Sequence, residues 1–146
     1  SGADGSNPTL LHQPAGGSLQ PASHDSLMNR GHFLKMNGRE IFKSAVRVME
    51  RASRGLLAEN GYTQNDVDHV IPHQANARIV ESLSQRLEIP LGKFFCNLDK
   101  YGNTSAASIP IALDEARRAS ILKKGQLGLL VAFGAGLTWS AVLVRF

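Results

Sequence analysis

Two short motifs dictate most of what this chain can become: Pro72-His73-Gln74-Ala75-Asn76 and Gly102-Asn103-Thr104-Ser105-Ala106-Ala107-Ser108. Each sets a polar side chain, His73 or Asn103, at the end of an apolar or mixed run and directly before an amphipathic helical pattern. A strand that hands over to a helix through a polar turn is how open α/β sheets display reactive groups at strand carboxyl ends. His and Asn side chains both donate hydrogen bonds, which suits them to hold a carbonyl oxygen while negative charge builds on it. A third motif, Phe133-Gly134-Ala135-Gly136-Leu137-Thr138-Trp139, closes an apolar run with a small-residue loop. The backbone N–H groups of Gly134, Ala135 and Gly136 are further candidate donors for an oxyanion. No nucleophile with an activating base stands beside these motifs.

The pattern between the motifs predicts the elements. Residues 1–37 are rich in Gly, Pro, Ser and Asn without apolar periodicity, and read as a long loop excursion. From Gly38 the apolar positions Ile41, Phe42, Ala45, Val46, Met49, Ala52 and Leu56 form a helical stripe, closed at Asn60-Gly61. Thr63 to Asp66 predicts a helical turn, Val67 to Ile71 a short buried strand, and Ala75 to Leu87 a second helix. Phe94 to Leu98 reads as another strand. A helix is predicted from about Thr104 to Ile121, capped by Thr104 or Ser105, with Pro110 as an internal irregularity. Leu127 to Phe133 and Thr138 to Phe146 read as an antiparallel strand pair. Strands alternating with helices imply an α/β fold, a mixed β-sheet flanked by helices, over residues 38–146.

The 146 residues suffice for one domain with a real core. No apolar run approaches the roughly 18 residues of a membrane span. The opening Ser1-Gly2-Ala3-Asp4-Gly5 lacks an initiator Met and a signal-peptide core, and reads as a cut inside a longer protein. One cysteine, Cys96, excludes an internal disulfide and predicts a reducing, cytoplasmic setting. The net charge of +4 is locally sharpened, because Lys43, Arg47, Arg51 and Arg54 share one helix face. That stripe fits a solvated face and a docking surface for an acidic partner equally well. Nucleic acid is not expected, since no helix-turn-helix, zinc or RNA-sheet signature is present.

Each candidate has a plainer reading beside the chemical one. His73 also serves as a turn or cap residue. Asn103 is ordinary Gly-Asn turn chemistry and a good helix N-cap. Cys96, beside Phe94 and Phe95, reads as a small buried hydrophobe rather than a nucleophile. Thr104 and Ser105 read as caps, because no Gly-x-Ser-x-Gly elbow surrounds them. His69 and His73 are separated by a strand-like run and Pro72, and there is no Cys-x-x-Cys, so no metal site is expected. The Gly134–Gly136 loop precedes a strand rather than a helix, which excludes a dinucleotide fingerprint.

Taken together, His73-Gln74-Ala75-Asn76-Ala77-Arg78-Ile79, Gly102 to Ser108 and the glycine loop with Leu137-Thr138-Trp139 resemble the C-terminal half of β-ketoacyl-acyl-carrier-protein synthase III. The run Lys35-Met36-Asn37-Gly38-Arg39-Glu40-Ile41-Phe42-Lys43 resembles that family's entry into its first long helix, so the likeness covers roughly residues 33–146. It implies half of a thiolase-like fold, with residues 1–37 continuing from a missing N-terminal half. It implies decarboxylative Claisen condensation of an acyl-CoA primer with malonyl-acyl carrier protein, initiating fatty-acid or related polyketide synthesis. His73 and Asn103 then match two members of a Cys-His-Asn triad, and the loop around Ala135 matches the oxyanion hole. Many relatives carry Gly at position 135, and a backbone donor tolerates Ala there if φ stays negative.

Met36, Gly38, Phe42, Ala75 and Asn76 fall where relatives line the pantetheine tunnel. Lys43, Arg78 and Arg86 fall on the surface that receives acidic acyl carrier protein. The resemblance places the nucleophilic cysteine in the absent half, so the segment alone is expected to be inactive. It also implies a homodimer, with no cofactor beyond coenzyme A and carrier-protein thioesters as substrates. A specialised starter-unit synthase of polyketide or quinolone biosynthesis fits the same motifs. From another class, a non-catalytic basic protein-binding module remains an alternative.

Overall fold

The computed structural model describes residues 1–146. Its framework is a four-stranded sheet in the order β1–β6–β5–β4, formed by β1 (Gly2–Ala3), β4 (His69–Pro72), β5 (Leu127–Gly134) and β6 (Thr138–Arg145). β4 runs parallel to β5, with Pro72 opposite Val131, while β6 is antiparallel to both β5 and β1. The predicted mixed sheet and the β5–β6 pair are both present. A two-stranded ribbon of β2 (Leu11–His12) and β3 (Lys35–Met36) stands apart from this sheet.

Helix α2 (Gly38–Glu59) forms because apolar residues recur at helical spacing and its start is capped, with Asn37 Oδ1 accepting the Glu40 N–H at 3.3 Å. It ends where Gly61, at φ +73°, takes the left-handed conformation that favours glycine. Ala45, Val46, Met49 and Leu57 of α2 pack with Ile79, Leu83 and Leu87 of α3 (Ala77–Leu87) and with Val70, Leu129 and Val131 of the sheet. By strand alternation, Ile71 points to the opposite face, where α5 (Ser108–Arg118) packs on β4 with Ala112 and Ala116 fully buried. Helices therefore cover both faces of the sheet.

Several sequence expectations are corrected. The strand expected at Phe94 to Leu98 shrinks to one bridge, Val70 with Phe94, and a hydrogen bond from Phe95 N–H to the Val70 carbonyl at 2.9 Å. Beyond it the chain coils into α4 (Leu98–Tyr101), because the Asn97 N–H is taken by the Gln74 side chain and its carbonyl accepts from Lys100 and Tyr101. Cys96 is accordingly exposed rather than buried in a strand.

The helix expected from Thr104 begins at Ser108 after a short 3-10 turn at Ser105–Ala107, because Ser105 sits at φ +53°. Pro110 then lies in the first turn of α5, where its missing N–H costs nothing. The helix expected from Ala75 starts at Ala77, since extended Asn76 is its N-cap. The 1–37 excursion holds more structure than its composition predicts. Besides β1 and the ribbon it carries α1 (His24–Met28), whose start is closed by a reciprocal Ser23–Ser26 capping box.

Candidate active site

His73 follows directly on β4, and its N–H continues the parallel ladder by donating to the Val131 carbonyl at 2.7 Å. Because β4 and β5 are parallel, their carboxyl ends share one edge of the sheet. That edge also carries the loop from Gly134 to Leu137 that links β5 to β6. Crevices at strand carboxyl ends are where α/β sheets collect functional side chains.

Asn103 reaches the same place from α4. Its Oδ1 accepts the Ser105 N–H at 2.9 Å, which occupies the amide oxygen and leaves Nδ2 as the free, exposed donor. Ser105 also meets His73. Burial holds the His73 imidazole below its ordinary pKa, and hydrogen bonding to the Ser105 backbone pulls the other way. The half-buried ring is thus neutral near pH 7, with Ser105 as the joint between the two sequence motifs.

The glycine loop completes the edge. Gly136 lies at φ +140°, whereas Ala135 has no positive φ, so an alanine is accommodated at 135 without strain. Thr138 Oγ1 donates to the Ala135 carbonyl at 3.0 Å and braces the turn. Gly134, Ala135 and Gly136 are at most half-buried, with their N–H groups at the same edge as His73.

The second set of candidates gathers at the start of α2. Met36 ends β3 with its side chain exposed, and Met36 Cε lies 3.8 Å from where a Cβ on Gly38 would stand. Phe42, one turn on, is half-buried against the core. Phe42 also lines a groove of about 390 Å³ between α2 and α3 with Lys43, Arg47, Ser82 and Arg86. Ala75 and Asn76 are exposed in the loop after His73, and the Asn76 side chain accepts the Arg78 N–H at 2.9 Å as the α3 cap.

The basic stripe is largely engaged within the chain. Lys43 pairs with Glu40 at 3.0 Å, Arg86 with Glu50 at 2.9 Å, and Arg54 with Glu50 and Glu88. Arg51 stands 5.6 Å over the Trp139 ring. Arg78 is exposed and makes no ion pair.

Although the residue is exposed at the surface, partial desolvation of the Cys96 thiol and the Asp99 charge push its pKa up to about 11, the reverse of what a nucleophilic thiol needs. No group of three or more His, Cys, Asp or Glu side chains is arranged to hold a metal ion. No helix is long and apolar enough to cross a membrane.

Sequence reasoning passed over Gln74, Asn97 and Glu115. Gln74 is 1% exposed, its Oε1 accepts from Asn97 N–H at 2.7 Å, and its Nε2 has no partner within the chain. Only the run of polar residues after an apolar strand hinted at it, and nothing local signals a bond across 23 residues.

A family model described as 3-oxoacyl-[acyl-carrier-protein (ACP)] synthase III C terminal matches residues 57–146. The chain is 51% identical over 145 residues to a β-ketoacyl-[acyl-carrier-protein] synthase III of Caldanaerobacter subterraneus subsp. tengcongensis, covering 99% of this chain and 44% of that protein. It is similar, at 47% identity and a TM-score of 0.84, to the crystal structure of 3-oxoacyl-[acyl-carrier-protein] synthase III from Aquifex aeolicus VF5, covering 99% of this chain and 42% of that one. A priming β-ketosynthase from the R1128 polyketide biosynthetic pathway is 32% identical with a TM-score of 0.81, covering 99% and 43% of the two chains. The chain therefore spans less than half the length of the relatives it matches. Its architecture is the C-terminal part of their thiolase fold. On these grounds the chain belongs to the 3-oxoacyl-[acyl-carrier-protein] synthase III C-terminal family.

Proposed function

We propose that this chain supplies the enolate-stabilising half of a condensing enzyme that joins an acyl-CoA primer to malonyl-acyl carrier protein with loss of carbon dioxide. The observation that carries this reading is the meeting of His73 and Asn103 through Ser105, at the edge that also bears the glycine loop. The nucleophilic cysteine lies outside this chain, since the Cys96 thiol is raised to about 11, the reverse of what a nucleophile needs.

In the reaction, the thiolate of that cysteine first receives the acyl group from coenzyme A. The malonyl thioester then places its carbonyl oxygen against the His73 ring and Asn103 Nδ2. As the carboxylate leaves as carbon dioxide, its electron pair moves into the enolate, whose oxygen the two donors hold. Preorganised donors act strongly there because they need no reorganisation as charge develops. The enolate carbon attacks the acyl thioester, and the loop around Ala135 receives the second oxyanion. The cysteine thiolate leaves.

Met36, Gly38, Phe42, Ala75 and Asn76 line the path of the pantetheine arm, and Lys43, Arg78 and Arg86 face the acidic carrier. On the same reading the working enzyme is a cytoplasmic homodimer, needs no metal, and this half alone is inactive.

The test is His73→Ala in the complete enzyme. Acylation of the cysteine by acyl-CoA is retained, while malonyl decarboxylation falls by about 10²–10³, the usual effect of one lost oxyanion donor. Equal loss of both steps, or of neither, overturns the assignment. The similarity to a polyketide priming synthase supports a second reading, in which the primer is a specialised starter unit. Competition kinetics with a series of acyl-CoA thioesters separates the two. The non-catalytic basic module has little left to support it, because the chain matches the C-terminal family model of 3-oxoacyl-[acyl-carrier-protein] synthase III and its similar relatives are named as synthases.

A further inference from the structure

The His73 loop and the Asn103 loop belong to different elements, and Ser105 is not their one tie. Three buried or half-buried residues, Gln74, Asn97 and Glu115, also link them. Gln74, beside His73, accepts the Asn97 N–H through Oε1 at 2.7 Å. Asn97 is 4% exposed, and its Nδ2 donates to Glu115 Oε2 at 2.7 Å. The Asn97 carbonyl accepts from Lys100 and Tyr101 at 3.1 and 3.2 Å, starting the helical turn that delivers Gly102 and Asn103. Lys100 Nζ returns to Glu115 Oε1, closing the network on α5.

Asn97 thus uses its N–H, its carbonyl and its side-chain amide at once, each toward a different element. Gln74 leads to the His73 loop, α4 leads to Asn103, and Glu115 sits on the helix entered through Ser105. Hydrogen bonds from Lys100 and Asn97 hold the Glu115 carboxyl below its usual range, so it stays an acceptor. Buried hydrogen-bond networks of this kind favour one arrangement of the loops they join, and within this one Gln74 Nε2 is the buried donor left without a partner in the chain.

We infer that Asn97, acting through Gln74 and Glu115, is a positioning residue that registers the Asn103 loop against the His73 loop so that both donors face one oxygen. The kinetic readout rests on the condensing-enzyme reading, while the geometry does not. A displacement of about 1 Å at a reacting group costs on the order of 10² in rate.

The experiment uses the complete enzyme carrying this half. Asn97→Ala lowers kcat for malonyl decarboxylation by about 10- to 100-fold, with KM for malonyl carrier and the rate of cysteine acylation unchanged. Glu115→Ala behaves alike, the double variant is no worse than either single one, and Glu115→Gln, which keeps an acceptor for Nδ2, restores the rate. Hydrogen exchange reads the geometry without the reaction. The Ser105 amide, bonded to Asn103 Oδ1, exchanges about tenfold faster in Asn97→Ala, while the β5 and β6 amides keep their protection.

Unchanged Ser105 exchange overturns the inference. So does parallel loss of acylation and decarboxylation, or a Glu115→Gln variant as damaged as Glu115→Ala. If the parent enzyme performs no decarboxylation, the proposed reaction fails and the exchange comparison still decides the positioning role. Should Asn97→Ala not fold, the two Glu115 variants carry the same comparison.

Discussion

Gly136 is the position where backbone geometry and proposed chemistry meet most directly. Its φ of +140° lies where L side chains are strained, and a Cβ there would stand 2.8 Å from Thr138 Cγ2 and 3.1 Å from the Thr138 N. Gly136→Ala therefore brings a backbone strain of about 1–3 kcal/mol. Moving Thr138 aside also breaks the bond from its Oγ1 to the Ala135 carbonyl, a further loss of about 0.5–1.5 kcal/mol. The neighbouring Ala135→Gly is the matched control. Ala135 has no positive φ, so that change only adds backbone freedom, at about 0.5–1 kcal/mol.

Melting of the complete enzyme by differential scanning fluorimetry separates the two. Gly136→Ala lowers the transition by on the order of 5 °C, and Ala135→Gly by less than about 2 °C. Condensation onto the acyl thioester follows the same order, because the displaced turn re-aims the N–H groups at the sheet edge. Parental melting and activity in Gly136→Ala, or an Ala135→Gly variant that is the more damaged, would refute the reasoning.

Asn103→Asp is more damaging to malonyl decarboxylation than Asn103→Ala. A carboxylate offers no donor and repels the enolate, whereas Ala leaves space for water; an active Asp variant in a steady-state assay would reduce Asn103 to a turn residue. Charge reversal at Lys43 and Arg78 lowers kcat/KM for malonyl carrier protein more than for a malonyl-pantetheine mimic. The difference shrinks as salt cuts the Debye length from about 10 Å at 0.1 M to about 3 Å at 1 M, so a salt-independent or parallel loss contradicts docking.

The His73 imidazole sets the sign of a pH effect. Burial holds it below the ordinary value of 6.5, so between those two values the unfolded chain binds more protons and stability rises with pH. His73→Gln flattens that slope when denaturation midpoints are compared from about pH 5 to 7; an unchanged slope means the ring does not titrate in a buried setting.

Sequence alone was enough for whatever depends on neighbours along the chain. Most of the stripe from Ile41 to Leu56 and the stop at Gly61 follow from helical spacing and a left-handed glycine, though the last core residue is Leu57 rather than Leu56. The β5–β6 pair follows from two apolar runs across a short loop. His73 at the end of a buried strand was legible for the same reason, as was the likeness carried by three motifs in order.

Tertiary structure decided whatever depends on partners far along the chain. Phe94 to Leu98 has strand composition, yet Gln74 takes the Asn97 N–H and the run coils instead. Cys96 reads as a buried hydrophobe until that coiling turns it outward. The basic stripe reads equally as a solvated face and a docking surface, and only the folded chain brings Glu88 to Arg54 and Glu50 to Arg86 across the α2–α3 contact. The union of His73 with Asn103 depends on Ser105 at φ +53°, a conformation that no serine favours by itself. Periodicity and capping are local energies that a sequence displays openly, whereas a buried amide chooses its partner only after the elements have packed.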